Sequence, residues 1–150
     1  CRANFMENLK DIEFVKVLRK SGCDALSLGL ESGNDRIMKY MKKMQKDKDS
    51  VLEIIRVLRS EDITPVLYMM IGFPTETKEE MEETIDFVIR LKKEYQCSIS
   101  GVSVFNLVEH SYVFDNPQEF HITKIHKDSH PALQGYGYKY DIAKGLTRIY

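Results

Sequence analysis

Apolar residues recur along residues 6–108 at two spacings, which predict helices and strands in alternation. Helical spacing predicts four helices, at residues 6–21, 34–44, 50–61 and 78–94. Short apolar runs predict three strands, at residues 24–30, 63–73 and 98–108. In the fourth helix the spacing predicts a buried face made of Met81, Ile85, Val88, Ile89 and Leu91.

Strands that alternate with long helices pair in parallel, because each connection has to return along the sheet to the end where it began. The pattern therefore predicts an α/β protein with a parallel sheet and helices outside it. From residue 110 onward the period is lost, and tyrosine, histidine and glycine are frequent. This change predicts an irregular C-terminal tail with short ordered pieces.

Composition and charge exclude some classes of protein. The 150 residues suffice for one domain with a core, and 22 basic against 23 acidic residues give a net charge of −1. This balance favours neither nucleic acid nor an anionic membrane as a partner. No apolar run approaches the roughly 20 residues that span a bilayer. Three cysteines, an odd number, without a secretory signal favour a reducing cytoplasm, with Cys23 and Cys97 as buried apolar residues.

Polar residues follow each predicted strand. Glu31 and Ser32 end the first, Tyr68 to Gly72 and then Phe73-Pro74 end the second, and the segment 106–110 with its asparagine and histidine ends the third. In parallel α/β sheets the ligand lies beyond the carboxyl ends of the strands, so these residues are candidates for one binding site. Two simpler interpretations stay open: Glu31 caps the next helix together with Asn34 and Asp35, and GFPTE is only a tight turn.

Three segments resemble the second half of the barrel of radical S-adenosylmethionine (SAM) enzymes: SLGLESGNDRIMKYMKK, ITPVLYMMIGFPTETKEEMEETIDFV and VSVFNL. The resemblance is closest to the branch with oxygen-independent coproporphyrinogen oxidases, methylthiotransferases and cobalamin-associated enzymes. It implies a partial TIM-like (βα) barrel of about three parallel strands over residues 1–110, followed by an irregular extension at residues 111–150.

The resemblance also implies which residues bind SAM: Glu31, Ser32, Lys43, Tyr68, Met70 and Val108. Glu31 is expected at the ribose or amino-acid part of SAM, with Ser32 beside it. Lys43 is expected to pair with the SAM carboxylate, although its lysine-rich surroundings are also typical of a solvated helix face.

On the next two strands, Tyr68 is expected to contact the ribose and Met70 to flank the adenine. Val108 is placed for a backbone contact with the adenine, and Arg2 falls at the end of a preceding strand. Met70 is equally typical of a core position. His121, His126 and His130 have no cysteine or acidic residues that complete a metal site, so no metal is predicted there.

Radical SAM chemistry needs a [4Fe–4S] cluster, held by three cysteines spaced CxxxCxxC, which cleaves SAM reductively. Cys1, Cys23 and Cys97 do not have this spacing. We therefore expect the cluster ligands in a missing N-terminal half of the same enzyme, and no activity of this chain alone. The use of cobalamin depends on a further absent domain, and the substrate is expected to be a small molecule or a peptide.

One alternative to an enzyme segment is a non-catalytic α/β half-barrel that binds a ligand or another protein, since fold by itself does not establish function. Either way, the first strand would expose an apolar edge where a preceding strand should pair. We expect such a chain to be poorly soluble or to associate with itself.

Overall fold

The computed structural model describes residues 1–42, 47–126 and 137–145. Four strands form one sheet in the order β1-β2-β3-β4, and both β1–β2 and β2–β3 pair in parallel. The strands are β1 (Arg2–Ala3), β2 (Ala25–Glu31), β3 (Thr64–Ile71) and β4 (Ser98–Val104). The predicted α/β fold with a parallel sheet is confirmed, and β1 is the short preceding strand expected at Arg2.

Helices connect these strands, as predicted. They are α1 (Ile12–Lys20), α2 (Asp35–Tyr40), α3 (Lys48–Ser60) and α4 (Lys78–Tyr95). The predicted helix over 6–21 is divided into a 3₁₀ turn at Glu7–Lys10 and α1, because the Asp11 carboxylate accepts a hydrogen bond from the Glu13 N–H and begins a new helix there. Asn34 caps α2 and Asp47 caps α3 in the same way.

The chain divides into two compact units. The first contains residues 1–70 and 79–103, and the second contains residues 71–78 and 104–150. In the first unit, Leu26, Leu28 and Leu30 of β2 are buried, while the alternate residues of β2 lie on the more open face of the sheet. The predicted domain boundary at residue 110 stays a prediction.

The buried face of α4 differs from the predicted one. Val88 and Leu91 are buried, but Ile85 is 42% exposed and Ile89 is 44% exposed. Thr84 and Phe87 take their places in the interior. The prediction was wrong for both isoleucines because the spacing fitted a second apolar stripe, whereas hydrogen bonds of Thr84 turn the 84–87–88–91 stripe inward.

In the second unit, the Phe73 ring packs edge-on against Phe105 at 5.2 Å and Phe120 at 5.7 Å between ring centroids. The tail adds the short helix α5 (Tyr112–Asp115), a 3₁₀ turn (Pro117–Phe120) and an antiparallel pair, β5 (Ile122–His126) and β6 (Lys139–Ile142). The predicted short ordered pieces are therefore present. No helix in the described ranges has the length and apolar content that crossing a membrane requires.

Candidate functional site

A cleft of about 370 Å³ opens on the face of the first unit where β1, β2 and β3 approach one another. It is lined by Arg2, Ala3, Asn4, Gly29, Glu31 and Tyr68. Two predicted site residues, Glu31 and Tyr68, therefore lie in one cleft, and Arg2 joins them from the short strand β1. Asn4 is a cleft residue that sequence reasoning missed, since no pattern in the sequence relates it to the other strands.

The backbone at Glu31 departs from regular strand geometry. The β2–β3 register shifts between Gly29 and Glu31, so Leu30 is an extra residue in β2. Glu31 has a φ of 65°, in the left-handed region, and the Ser32 N–H donates to the Leu30 carbonyl at 2.8 Å across it. This is a γ-turn with Glu31 at its centre, a rare and strained arrangement for a residue that is not glycine.

The Glu31 side chain folds back along its own strand. A Cβ atom at Gly29 would lie 2.7 Å from Glu31 Oε1, so the carboxylate occupies the space that any larger residue at position 29 would need. Gly29 and Glu31 both line the cleft. Because glycine has no side chain, the Glu31 carboxylate can lie over β2 and form part of the cleft lining.

Tyr68 lies under a guanidinium group on the open face of the sheet. The Arg2 Cζ atom is 5.0 Å from the centroid of the Tyr68 ring, within the range of a cation–π contact. Hydrogen bonds with Ser100 and, to a smaller extent, Ser27 lower the pKa of Tyr68. The Arg2 charge lowers it further. The cleft thus combines a guanidinium, a phenol and a carboxylate, which suits a ligand with hydroxyl groups and charges of both signs.

Ser32 turns away from the cleft lining and is fully buried. Its hydroxyl lies 3.0 Å from the Thr84 hydroxyl of α4 and accepts from the Asn34 N–H at 3.1 Å. The Gly33 N–H donates to the same Thr84 oxygen at 3.0 Å. The Ser32 side chain therefore joins the turn to α4, and its predicted contact with SAM stays a prediction.

Three further side chains after this turn also bind α4. The Asn34 side-chain amide donates to Glu83 at 2.6 Å, and Lys48 forms an ion pair with the same carboxylate, which lowers the pKa of Glu83. The Arg36 guanidinium contacts both carboxylate oxygens of Glu80, each at 2.5 Å. Asn34 caps α2, which confirms its share in the capping interpretation, while the share assigned to Glu31 stays a prediction.

The other predicted site residues have different positions. Met70 is partly exposed, and alternation along β3 puts it on the same face as Tyr68, while Met69 is buried on the opposite face. Val108 belongs to the second unit and is 51% exposed. Lys43 lies outside the described residues. The predicted SAM contacts of all three residues stay predictions.

The GFPTE segment forms a hydrogen-bonded turn in the second unit. The buried Glu76 carboxylate accepts from the Gly72 N–H at 2.5 Å, and the Glu76 N–H donates to the Phe73 carbonyl at 2.9 Å. Gly72 and Thr75 have φ values of 74° and 79°. Gly145 of the tail passes so close that a Cβ there would lie 3.0 Å from the Thr75 backbone.

The cysteines do not resemble cluster ligands. Cys23 and Cys97 are buried among core residues, and Cys1 is exposed. Burial raises the pKa of the Cys97 thiol to about 11, which disfavours the thiolate that a metal binds. In the part of the chain that the structure describes, no group of three or more cysteine, histidine or acidic residues could hold a metal ion.

A sequence model of the radical SAM superfamily matches residues 5–88 of this chain. A ribosomal protein uS12 methylthiotransferase of Protochlamydia amoebophila is 29% identical over 99 residues, 65% of this chain and 20% of that protein. A tRNA-2-methylthio-N(6)-dimethylallyladenosine synthase of Thermoanaerobacter is 38% identical over 72 residues, 47% of this chain and 15% of that protein. An uncharacterized methyltransferase of Pyrococcus horikoshii is 30% identical over 80 residues, 53% of this chain and 17% of that protein. The chain thus spans between 15% and 20% of the length of these relatives.

Proposed function

This chain belongs to the radical SAM superfamily, and from that premise we propose that the cleft beside Glu31 binds SAM in an enzyme that cleaves SAM reductively. The main support is the placement of Glu31, which a bulge and a strained turn put in one cleft with Tyr68 and Arg2. Strain of this kind persists where the surrounding structure enforces it, and it is concentrated at functional sites.

The chemistry of the cleft fits the groups that SAM presents. The Glu31 carboxylate accepts hydrogen bonds, and ribose hydroxyls and an ammonium group both donate them. The Arg2 guanidinium matches a carboxylate, and its contact with the Tyr68 ring restricts its position before any ligand arrives. SAM supplies the reactive sulfonium, while these residues bind and orient the molecule.

The described cysteines do not fit a [4Fe–4S] cluster, so this chain's residues have no role in electron transfer in our proposal. We propose that the cluster ligands come from polypeptide outside this chain. Two of the relatives are named for methylthiolation of a ribosomal protein and of a tRNA nucleoside. Because these targets differ and the matched regions are short, we propose a SAM-binding role without a particular substrate, and cobalamin stays a prediction.

The test is the substitution Glu31→Gln in the complete protein. It keeps the size of the side chain and removes its charge, and losing a charge-assisted hydrogen bond costs about 1.5–3 kcal/mol, so we expect SAM to bind roughly 10- to 100-fold more weakly. The measurements are the SAM dissociation constant by calorimetry and the yield of 5′-deoxyadenosine under reducing conditions.

Glu13→Gln is the matched control, since Glu13 lies exposed on α1 and pairs with Lys16. It should leave SAM binding unchanged. If the complete wild-type protein is correctly folded but binds no SAM, this result contradicts the proposal and favours the non-catalytic alternative.

A further inference from the structure

We propose that Thr84 of α4 is a positioning residue for the cleft, because its hydroxyl fixes the Ser32–Gly33 backbone and thereby the direction of Glu31. The inference rests on the proposed role of Glu31 in SAM binding. It assigns a function to an outer helix whose residues are not among those that line the cleft.

The Thr84 hydroxyl is fully used in a buried hydrogen-bond network. It donates to the Glu80 carbonyl at 3.1 Å and accepts from the Gly33 N–H at 3.0 Å. Since a hydroxyl has one proton, the Ser32 hydroxyl is the donor in the 3.0 Å contact with Thr84, and the Ser32 oxygen accepts from the Asn34 N–H. Ser32 and Gly33 are therefore bonded directly to one side chain of α4, and Asn34 is linked to it through the Ser32 hydroxyl.

Close packing reinforces these hydrogen bonds. A Cβ atom at Gly33 would lie 2.9 Å from both the Thr84 Cα and the Phe87 Cβ, so only glycine allows the turn to approach α4 this closely. Thr84 is 0% exposed. The turn has little freedom to move relative to α4 at this point, since protein interiors pack at high density.

This attachment acts on a strained residue. Glu31 has a left-handed φ and directly precedes Ser32, whose N–H closes the γ-turn on the Leu30 carbonyl. A strained turn without external support relaxes toward extended geometry, which would turn the Glu31 side chain out of its place over Gly29. Thr84 is thus in a position to decide where the carboxylate lies without contacting a ligand.

Neighbouring residues of α4 extend the same contact surface. Glu80 binds Arg36 and Glu83 binds Asn34. Glu80 lies one turn before Thr84 on the same helix face, and Glu83 lies one turn after Glu80. These pairs hold the start of α2, which is why loss of the Thr84 hydroxyl is expected to loosen the turn while the fold persists.

The experiment compares Thr84→Val with Thr84→Ser in the complete protein. Valine keeps the shape but removes the hydroxyl, and serine keeps the hydroxyl. We expect Thr84→Val to weaken SAM binding roughly tenfold or more, since small displacements of a binding group have effects of this size. Thr84→Ser should bind SAM nearly as the wild type does. Amide hydrogen exchange at Gly33, which needs no ligand, should become faster in Thr84→Val alone.

Val88→Ala is the control for general destabilisation, because Val88 is a buried residue of the same helix with no hydrogen bond to the turn. It should lower the melting temperature and leave SAM affinity unchanged. The inference is overturned if Thr84→Val binds SAM like the wild type while Glu31→Gln does not, or if Val88→Ala weakens binding as much as Thr84→Val. A wild type that binds no SAM overturns the proposed function and this inference together.

Discussion

At the scale of single residues, two glycines in the GLESGN segment have different steric roles. Gly33 allows backbone to approach a helix, and Gly29 leaves room for the end of the Glu31 side chain. In neither case is a positive φ the reason, since neither is among the glycines with positive φ. Glycine is therefore required at position 29 by the Glu31 carboxylate and at position 33 by the close approach of α4.

Gly29→Ala tests that interpretation. A Cβ at position 29 would lie 2.7 Å from Glu31 Oε1, so we expect the carboxylate to be displaced and SAM affinity to fall by at least several-fold. Because the displaced atom is the end of a flexible side chain, the free energy of unfolding should change by only about 0.5 kcal/mol. Calorimetric titration with SAM and chemical denaturation measure the two effects.

Gly101→Ala is the matched control, since a Cβ at Gly101 of β4 meets nothing within 4 Å. This variant should bind SAM like the wild type. If both variants bind equally well, the space at Gly29 has no part in placing Glu31.

At the scale of elements, α4 both packs into the core and binds the segment after β2, and its sequence alone does not show which residues do each. One side packs into the core through Phe87, Val88 and Leu91, and at the border of that side Glu80, Glu83 and Thr84 bind the segment after β2. Polar residues near the start of α4 therefore determine how the helix is rotated about its axis. The apolar residues Ile85 and Ile89 are left on the exposed side.

Alanine substitutions on α4 test this rotation. Phe87→Ala removes a ring that is 7% exposed and should cost about 3–5 kcal/mol in the free energy of unfolding. Ile89→Ala, at a residue that is 44% exposed, should cost below about 1 kcal/mol. Urea denaturation measures both, and alanine keeps the helix propensity equal in the two variants. Equal costs would contradict the observed orientation of α4.

At the scale of the whole molecule, the sheet ends in two unlike edge strands. β1 is a two-residue strand, while β4 is a seven-residue edge strand on which Val102 is 55% exposed and Val104 is 47% exposed. Long edge strands with exposed apolar residues pair with other chains. The expected self-association rested on an unpaired edge of β2, and β1 covers that edge at Ser27 and Leu28. Self-association stays a prediction, and β4 is the longer edge strand that supports it.

Light scattering after size-exclusion chromatography tests it. The chain alone should elute as oligomers or aggregates, and Val102→Lys should increase the monomer fraction, because a charged residue on an edge strand disfavours pairing. Val17→Lys is the control, since Val17 is 63% exposed on α1, and it should leave association unchanged. A wild-type chain that is entirely monomeric would contradict this expectation.

Sequence periodicity was sufficient for the order of the main helices and strands and for the parallel sheet, because these depend on local spacing and on burial of one face. The ends of parallel strands share one edge of a sheet by geometry, so the proximity of Glu31 and Tyr68 was also predictable. The family resemblance added the expected ligand, and the family match confirms the superfamily.

Only the tertiary structure decided how Glu31 is directed. The bulge at Leu30, the γ-turn and the attachment of Ser32 to Thr84 all involve contacts between residues far apart in the chain or a backbone conformation that propensities disfavour. The rotation of α4 about its axis was also decided by the tertiary structure. Apolar spacing fits two stripes on this helix equally well, and the buried hydrogen bonds of the Thr84 hydroxyl select one of them. Local patterns fix which face of an element is apolar, but long-range hydrogen bonds and close packing select among the faces and conformations that remain.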